Sequence, residues 1–262
     1  MTLLAKLEAR RSQLKAQRRN AFTLLELLVV VAIIAIIAGA IISSYDGVDA
    51  NAAASTSSHT AGSSDQIIRQ YAYVNSTMPD FYETGLVSTS GDFILSLPNT
   101  SSATVNTVFD EFPLLANHVS ALSSIGVKNV YYYSGTNTAA VLDALSNPNS
   151  VFDSASATTL ATSSPVLRVK SANNSKFGAG TTDVLVALAI GSKNSLVTAN
   201  STVKLGVAPA APGLLKNQYS RYFAVFNVGD ATAPVSGAKA KFVTVIDANG
   251  KTVDDLIADS KN

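Results

Sequence analysis

Residues Ala21-Phe22-Thr23-Leu24-Leu25-Glu26 run directly into Leu27-Leu28-Val29-Val30-Val31-Ala32-Ile33-Ile34-Ala35-Ile36-Ile37-Ala38-Gly39-Ala40-Ile41-Ile42. From Phe22 to Ile42 there are 21 residues with one charge, Glu26. At about 1.5 Å per residue, a helix of that length crosses roughly 30 Å, one bilayer core. Its many Val and Ile side chains are poor helix formers in water. In lipid the backbone must close its own hydrogen bonds, so the helix forms regardless. The segment is apolar on every face, which excludes an amphipathic surface helix. A carboxylate within such a span costs at least ~2.5–3.5 kcal/mol on insertion scales, and residues that costly are usually kept for function.

Charge around this stretch is uneven. Residues 1–21 hold Lys6, Arg10, Arg11, Lys15, Arg18 and Arg19 against Glu8, a net of +5. The remaining 13 basic and 17 acidic side chains give −4, and the whole chain is +1. A basic tip before an apolar run is a targeting layout whose positive end stays cytoplasmic. The overall balance offers no electrostatic case for nucleic acid as a partner. The chain has 262 residues and no cysteine. That length suits one large domain or two small ones beyond the membrane segment. Disulfides, thiolate metal sites and a cysteine nucleophile are excluded.

Three ordinary readings fit parts of the N-terminus. A secretory signal would use Ala50-Asn51-Ala52 as its small-x-small site, but the apolar block is long for one. A twin-arginine signal would use Arg18-Arg19, at the wrong spacing. A plain membrane anchor leaves Glu26 unexplained. The whole run from Arg18 to Ile42 instead resembles the class III signal of type IV pilins and type II secretion pseudopilins. In that family a membrane peptidase, the prepilin peptidase, cuts after a small residue and N-methylates the new terminus, commonly Phe. A Glu stands fifth in the mature chain. The resemblance therefore implies cleavage between Ala21 and Phe22, N-methylation of Phe22, and an assembly role for Glu26. The usual Gly before the cut is here Ala21, small enough for a tight subsite.

The resemblance also implies why the carboxylate is kept. Cleavage creates a positive amine on Phe22, four residues from Glu26. Pairing that amine with Glu26 of the same or a neighbouring subunit neutralises both charges and sets register in a bundle of such helices. The leader, with Leu3, Leu4, Leu7 and Leu14 among its cations, suits a basic amphipathic helix on an anionic leaflet.

The expected organisation is a leader at 1–21, a transmembrane and filament-core helix at 22–42, a helix extension or linker at 43–63, and a globular head at 64–262. Gly47 and the Ser/Thr run at 55–58 predict a helix break near 43–62, with Ser63-Ser64-Asp65 capping a new helix at about 64–76. Residues 80–112 read as turn-rich. Leu114 to Leu122 predicts a helix stopped by Gly126, and Val127 to Tyr133 a strand. A short helix is expected at Thr138 to Leu145. Strands are expected at Pro165–Lys170, Asp183–Ile190, Tyr222–Val228 and Lys239–Ile246, followed by an Asn249-Gly250 turn and a closing helix or turn at Thr252–Ala258. The fold class is α+β, pilin-like: an apolar N-terminal helix, then a head with a largely antiparallel sheet.

Enzyme chemistry is hard to find, and the chain reads as a non-enzyme. The histidines, His59 and His118, have no ligand spacing to each other, and His118 reads as a partly buried helix residue. No Gly-x-Ser-x-Gly elbow occurs. Lys176-Phe177-Gly178-Ala179-Gly180 lacks the Gly-Lys-Ser/Thr of a phosphate loop and reads as a turn. Asp247, Asn249, Asp254 and Asp255 form the best metal candidate, with oxygen donors suited to Ca²⁺. They lack the spacing of an EF-hand, and a turn plus a helix start explains the same residues; both readings stand at this point. No other cofactor is implied.

Three functions remain in view. One is a structural subunit of a type IV pilus or related filament. Another is a pseudopilin of a type II secretion system. The third is a membrane-anchored envelope protein that never polymerises. The resemblance implies prepilin peptidase, other copies and related pilins, and an inner-membrane assembly platform as partners. It implies a single-pass inner-membrane precursor with a cytoplasmic N-terminus, then a periplasmic or extracellular filament.

Overall fold

A computed structural model describes residues 24–88, 90–138, 149, 152, 156–199, 201–214, 217–232 and 235–261. The chain divides into two compact units, residues 1–49 and 50–262. Helix α1 (Leu24–Asn75) has 52 residues and supplies a segment to each. An apolar N-terminal helix followed by an α+β globular unit is the fold class expected.

The expected break near 43–62 is absent, and Ser63-Ser64-Asp65 lies inside α1 rather than at its start. The low-propensity Ser/Thr run is held by its own hydroxyls. Thr56 donates to the Ala52 carbonyl, Thr60 to Thr56 and Ser64 to Thr60, each at 2.8 Å. Such back-bonding spends the polar groups on the helix that would otherwise compete with it. Packing does the rest: Ala61 and Ile68 are fully buried within the second unit, and Ser57 meets the Tyr222 hydroxyl at 2.9 Å. Burial of one helix face outweighs weak propensity.

The second unit is built on a sheet of eight strands: β1 (Tyr82–Val87), β4 (Phe109–Pro113), β5 (Asn129–Tyr133), β6 (Ala157–Thr159), β7 (Pro165–Val169), β8 (Asp183–Ala189), β9 (Phe223–Asp230) and β10 (Lys241–Ile246). A separate hairpin pairs β2 (Thr100–Ser102) with β3 (Val105–Asn106). The main path runs β10-β9-β8-β1-β5-β6. One edge of β8 is divided: β7 pairs at Leu167↔Ala187 and Arg168↔Val186, while β1 pairs at Glu83↔Ala189. β4 then adds to β7. Among these pairings only β1–β5 is parallel, so the sheet is mixed but mostly antiparallel.

The core centres on β8 and β9. Val184 to Ile190 and Phe223 to Phe226 are all fully buried. A strand buried on both faces reads as a continuous apolar run, which is why both were legible. β1 was not. Its sequence, YETGLV, contains Glu, Thr and Gly, yet every residue is buried. Glu83 accepts a hydrogen bond from the Tyr219 hydroxyl and lies 3.8 Å from Arg221 Nε. A buried charge with partners hides a strand from hydropathy.

The remaining elements largely follow expectation. Helix α2 (Ala116–Ser124) ends before Gly126, which adopts φ +103 and whose added Cβ would lie 3.1 Å from the Met78 carbonyl. A 3-10 helix (Ser171–Phe177) leads to Gly178, α3 (Ser195–Thr198) is a single turn, and α4 (Val253–Asp259) closes the chain. The helix expected at 138–145 falls, from 139 on, outside the described residues.

Candidate functional site: the N-terminal motif and its helix

Every side chain from Leu24 to Ile41 is exposed. The span has 18 residues, mean hydropathy 3.0 and no buried fraction, so it is long and apolar enough to cross a membrane. Leu24 is 83% and Ile36 73% exposed. At about 1.5–3 kcal/mol for each large apolar side chain removed from water, covering this helix is worth on the order of 20 kcal/mol. Lipid or neighbouring helices must supply that cover.

Glu26 is the acidic residue in the first turn of α1. A carboxylate there lies near the first-turn N–H groups and the positive end of the helix dipole. Ala21 and Phe22, the expected cleavage pair, lie outside the described residues, so their distance to Glu26 rests on sequence spacing alone.

The calcium candidates are drawn into local backbone structure. Asp247 is 3% exposed, and its Oδ1 accepts from the N–H groups of Asn249 at 3.0 Å and Lys251 at 2.7 Å. Its Oδ2 accepts from Asn249 Nδ2 at 3.2 Å. Burial pushes the Asp247 carboxyl above its ordinary 3.8, against these donors, which pull it down. Asp255 accepts from Thr252 N–H at 3.1 Å, and Thr252 Oγ1 accepts from Asp255 N–H at 3.2 Å, a reciprocal cap on α4. That Thr252 N–H holds the Asp255 carboxyl below 3.8. Asp254 is exposed beside it. Among the described residues no group of three or more His, Cys, Asp or Glu is placed to hold a metal. Calcium here would have to draw Asp247 and Asp255 away from these partners.

His118 and two tyrosines of β5 are held by hydrogen bonds. His118 is fully buried; its Nε2 lies 2.9 Å from the Asp230 carbonyl and its Nδ1 accepts from Leu115 N–H. His59 is exposed on α1. Tyr132 donates to the Pro165 carbonyl at 2.8 Å and Tyr133 to Thr136 at 3.1 Å. Sequence reasoning missed the Glu83–Tyr219–Arg221 group, because nothing local to YETGLV announces partners more than 130 residues away.

Residues 16–42 match the family model for the prokaryotic N-terminal methylation motif. The N-terminus carries a prokaryotic methylation motif. Together with the apolar helix, the motif is consistent with the class III signal of type IV pilins and pseudopilins. It supports a pilin-like or pseudopilin-type substrate of prepilin peptidase, anchored in a membrane through its N-terminus and structural rather than catalytic. No curated protein and no solved structure matches the chain.

Proposed function

We propose that this chain is a structural, pilin-like subunit of a type IV pilus-type filament. Prepilin peptidase cuts between Ala21 and Phe22 and methylates Phe22, and α1 then carries the subunit into the filament. The observation that supports this reading is the methylation motif running into an apolar helix with no burial of its own. Before assembly the helix anchors the precursor in the inner membrane. Afterwards the same side chains pack against helices of other copies and related pilins. The assembly platform of the inner membrane is the partner for that transfer.

Glu26 gives the transfer its register. The Phe22 amine and the Glu26 carboxylate of a neighbouring copy neutralise one another where water is excluded, which favours one axial offset over others. Glu26→Val therefore leaves membrane insertion intact and reduces incorporation into filaments. Sheared surface material, imaged and immunoblotted in the native strain, reads this directly. Long fibres containing the native chain and depleted of the variant support the reading. Normal incorporation of Glu26→Val refutes the register role, and absence of any fibre containing the native chain refutes the filament.

A further inference from the structure

The main sheet ends on one side at β10, and among the described residues no strand lies beyond it. An outer strand presents backbone groups to which another chain can add. The sheet's other outer strands carry their own protection. β6 has three residues, and β4 carries Asp110 and Glu111 and ends at Pro113. β10 is different. Its six residues, Lys241-Phe242-Val243-Thr244-Val245-Ile246, contain one charge and neither proline nor glycine. A short segment of high β-propensity and low charge is the pattern that stacks into cross-β assemblies.

Burial closes only half of this strand. Val245 and Ile246 are fully buried, whereas Lys241 is exposed and Phe242, Val243 and Thr244 are half-buried. The ladder is also irregular in the open half. Phe242 pairs with Phe226 and Thr244 with Val225, which leaves Val243 as the extra residue of a bulge, with no residue opposite it.

Arg69, on the part of α1 that belongs to the second unit, reaches this spot. Its Nη2 donates to the Val243 carbonyl at 2.7 Å, and its guanidinium lies over the Phe242 ring, 4.9 Å from the centroid. Asp65, one turn earlier on α1, anchors the same group: Nε lies 2.7 Å from Oδ2 and Nη2 3.3 Å from Oδ1. A planar guanidinium can serve a carboxylate, an aromatic face and a carbonyl together, which a lysine ammonium cannot. An exposed ion pair on a helix is worth little by itself. This one holds a bulky cation against the open half of β10. We propose that Arg69 closes β10 against strand pairing with a second copy of this chain. It occupies the Val243 carbonyl and sets a fixed positive charge beside the bulge, and Lys241 and the bulge itself act in the same direction. The proposal does not rest on filament assembly, and its test contains no filament.

That test compares the native full chain with Arg69→Met, both dispersed in dodecyl maltoside and shaken at equal concentration. Met keeps a long apolar stem and good helix propensity but has no donor. The expected result is sedimenting, thioflavin T-positive material with a cross-β reflection at about 4.7 Å, appearing about tenfold sooner than from the native chain. That factor corresponds to the loss of one hydrogen bond from a charged donor. Melting curves check that the variant is folded, which the 53% exposure of the Arg69 side chain favours. Asp65→Asn leaves the guanidinium in place without its anchor. It should give a smaller change in the same direction, and it keeps the test valid if Arg69→Met does not fold. Adding Thr244→Lys to Arg69→Met should restore the native rate, since a charge on an edge strand blocks pairing. An Arg69→Met chain that stays dispersed as long as the native one overturns the proposal. So does faster aggregation that Thr244→Lys leaves unchanged, which would trace it to general unfolding rather than to the β10 edge.

Discussion

Glu83→Gln is the most informative perturbation of the head, because it removes a charge while keeping size and an acceptor. The Glu83 side chain is 1% exposed and the Arg221 side chain 10%, with Nε 3.8 Å from the carboxylate. Removing one member of a buried ion pair costs about 3–5 kcal/mol, because the other charge is left without compensation. Arg221 retains slight solvent contact, and the amide oxygen of Gln can still accept from Tyr219. Both place the cost at the lower end, about 3 kcal/mol. Against a total stability on the order of 5–15 kcal/mol that is a large loss. Glu83→Gln with Arg221→Met removes both charges, and replacing a buried pair by uncharged groups is often near neutral. The double variant should therefore be more stable than Glu83→Gln alone. Urea unfolding of the full chain in detergent, followed by fluorescence of its nine tyrosines with no tryptophan background, measures both. A Glu83→Gln loss below about 1 kcal/mol, or a double variant weaker than the single, would refute the reasoning.

Gly250→Ala should destabilise by about 1–3 kcal/mol in the same assay, since Gly250 holds φ +76 and an added Cβ would overlap Val108 Cγ1. The raised carboxyl of Asp247 contributes stability that is present below 3.8 and lost as pH rises through its folded value. Asp247→Asn, able to accept the same two N–H bonds, should flatten that part of the pH profile; an unchanged profile counts against it. Tyr132 is pushed up to about 12 from 10.0 by burial, so its share of stability is complete below 10 and lost on approach to 12. Absorbance titration of Tyr132→Phe should lose one late-ionising tyrosine. Ile68→Ala should cost about 2–5 kcal/mol, because Ile68 is fully buried where α1 meets the sheet.

The N-terminal signature was legible because its physics is local: a charge, a small residue and an apolar run in one continuous segment. β8 and the first half of β9 were legible for the same reason, since strands buried on both faces read as apolar runs. β1 and β4 were not, because their polar residues are satisfied by distant partners: Glu83 by Tyr219 and Arg221, Asp110 by Arg168 and Lys170. The unbroken course of α1 departs from the expected break because its Ser and Thr, weak helix formers in isolation, bond back to their own helix.

The central claim is that the N-terminal motif is a processing signal. Intact-mass and N-terminal sequencing of the chain purified from cells with an active prepilin peptidase tests it most directly. The predicted terminus is N-methyl-Phe22, with residues 1–21 removed and Ala21→Leu blocking the cut. A mature terminus near Ala53, or a chain still beginning at Met1 beside a peptidase active on its own substrates, would contradict it.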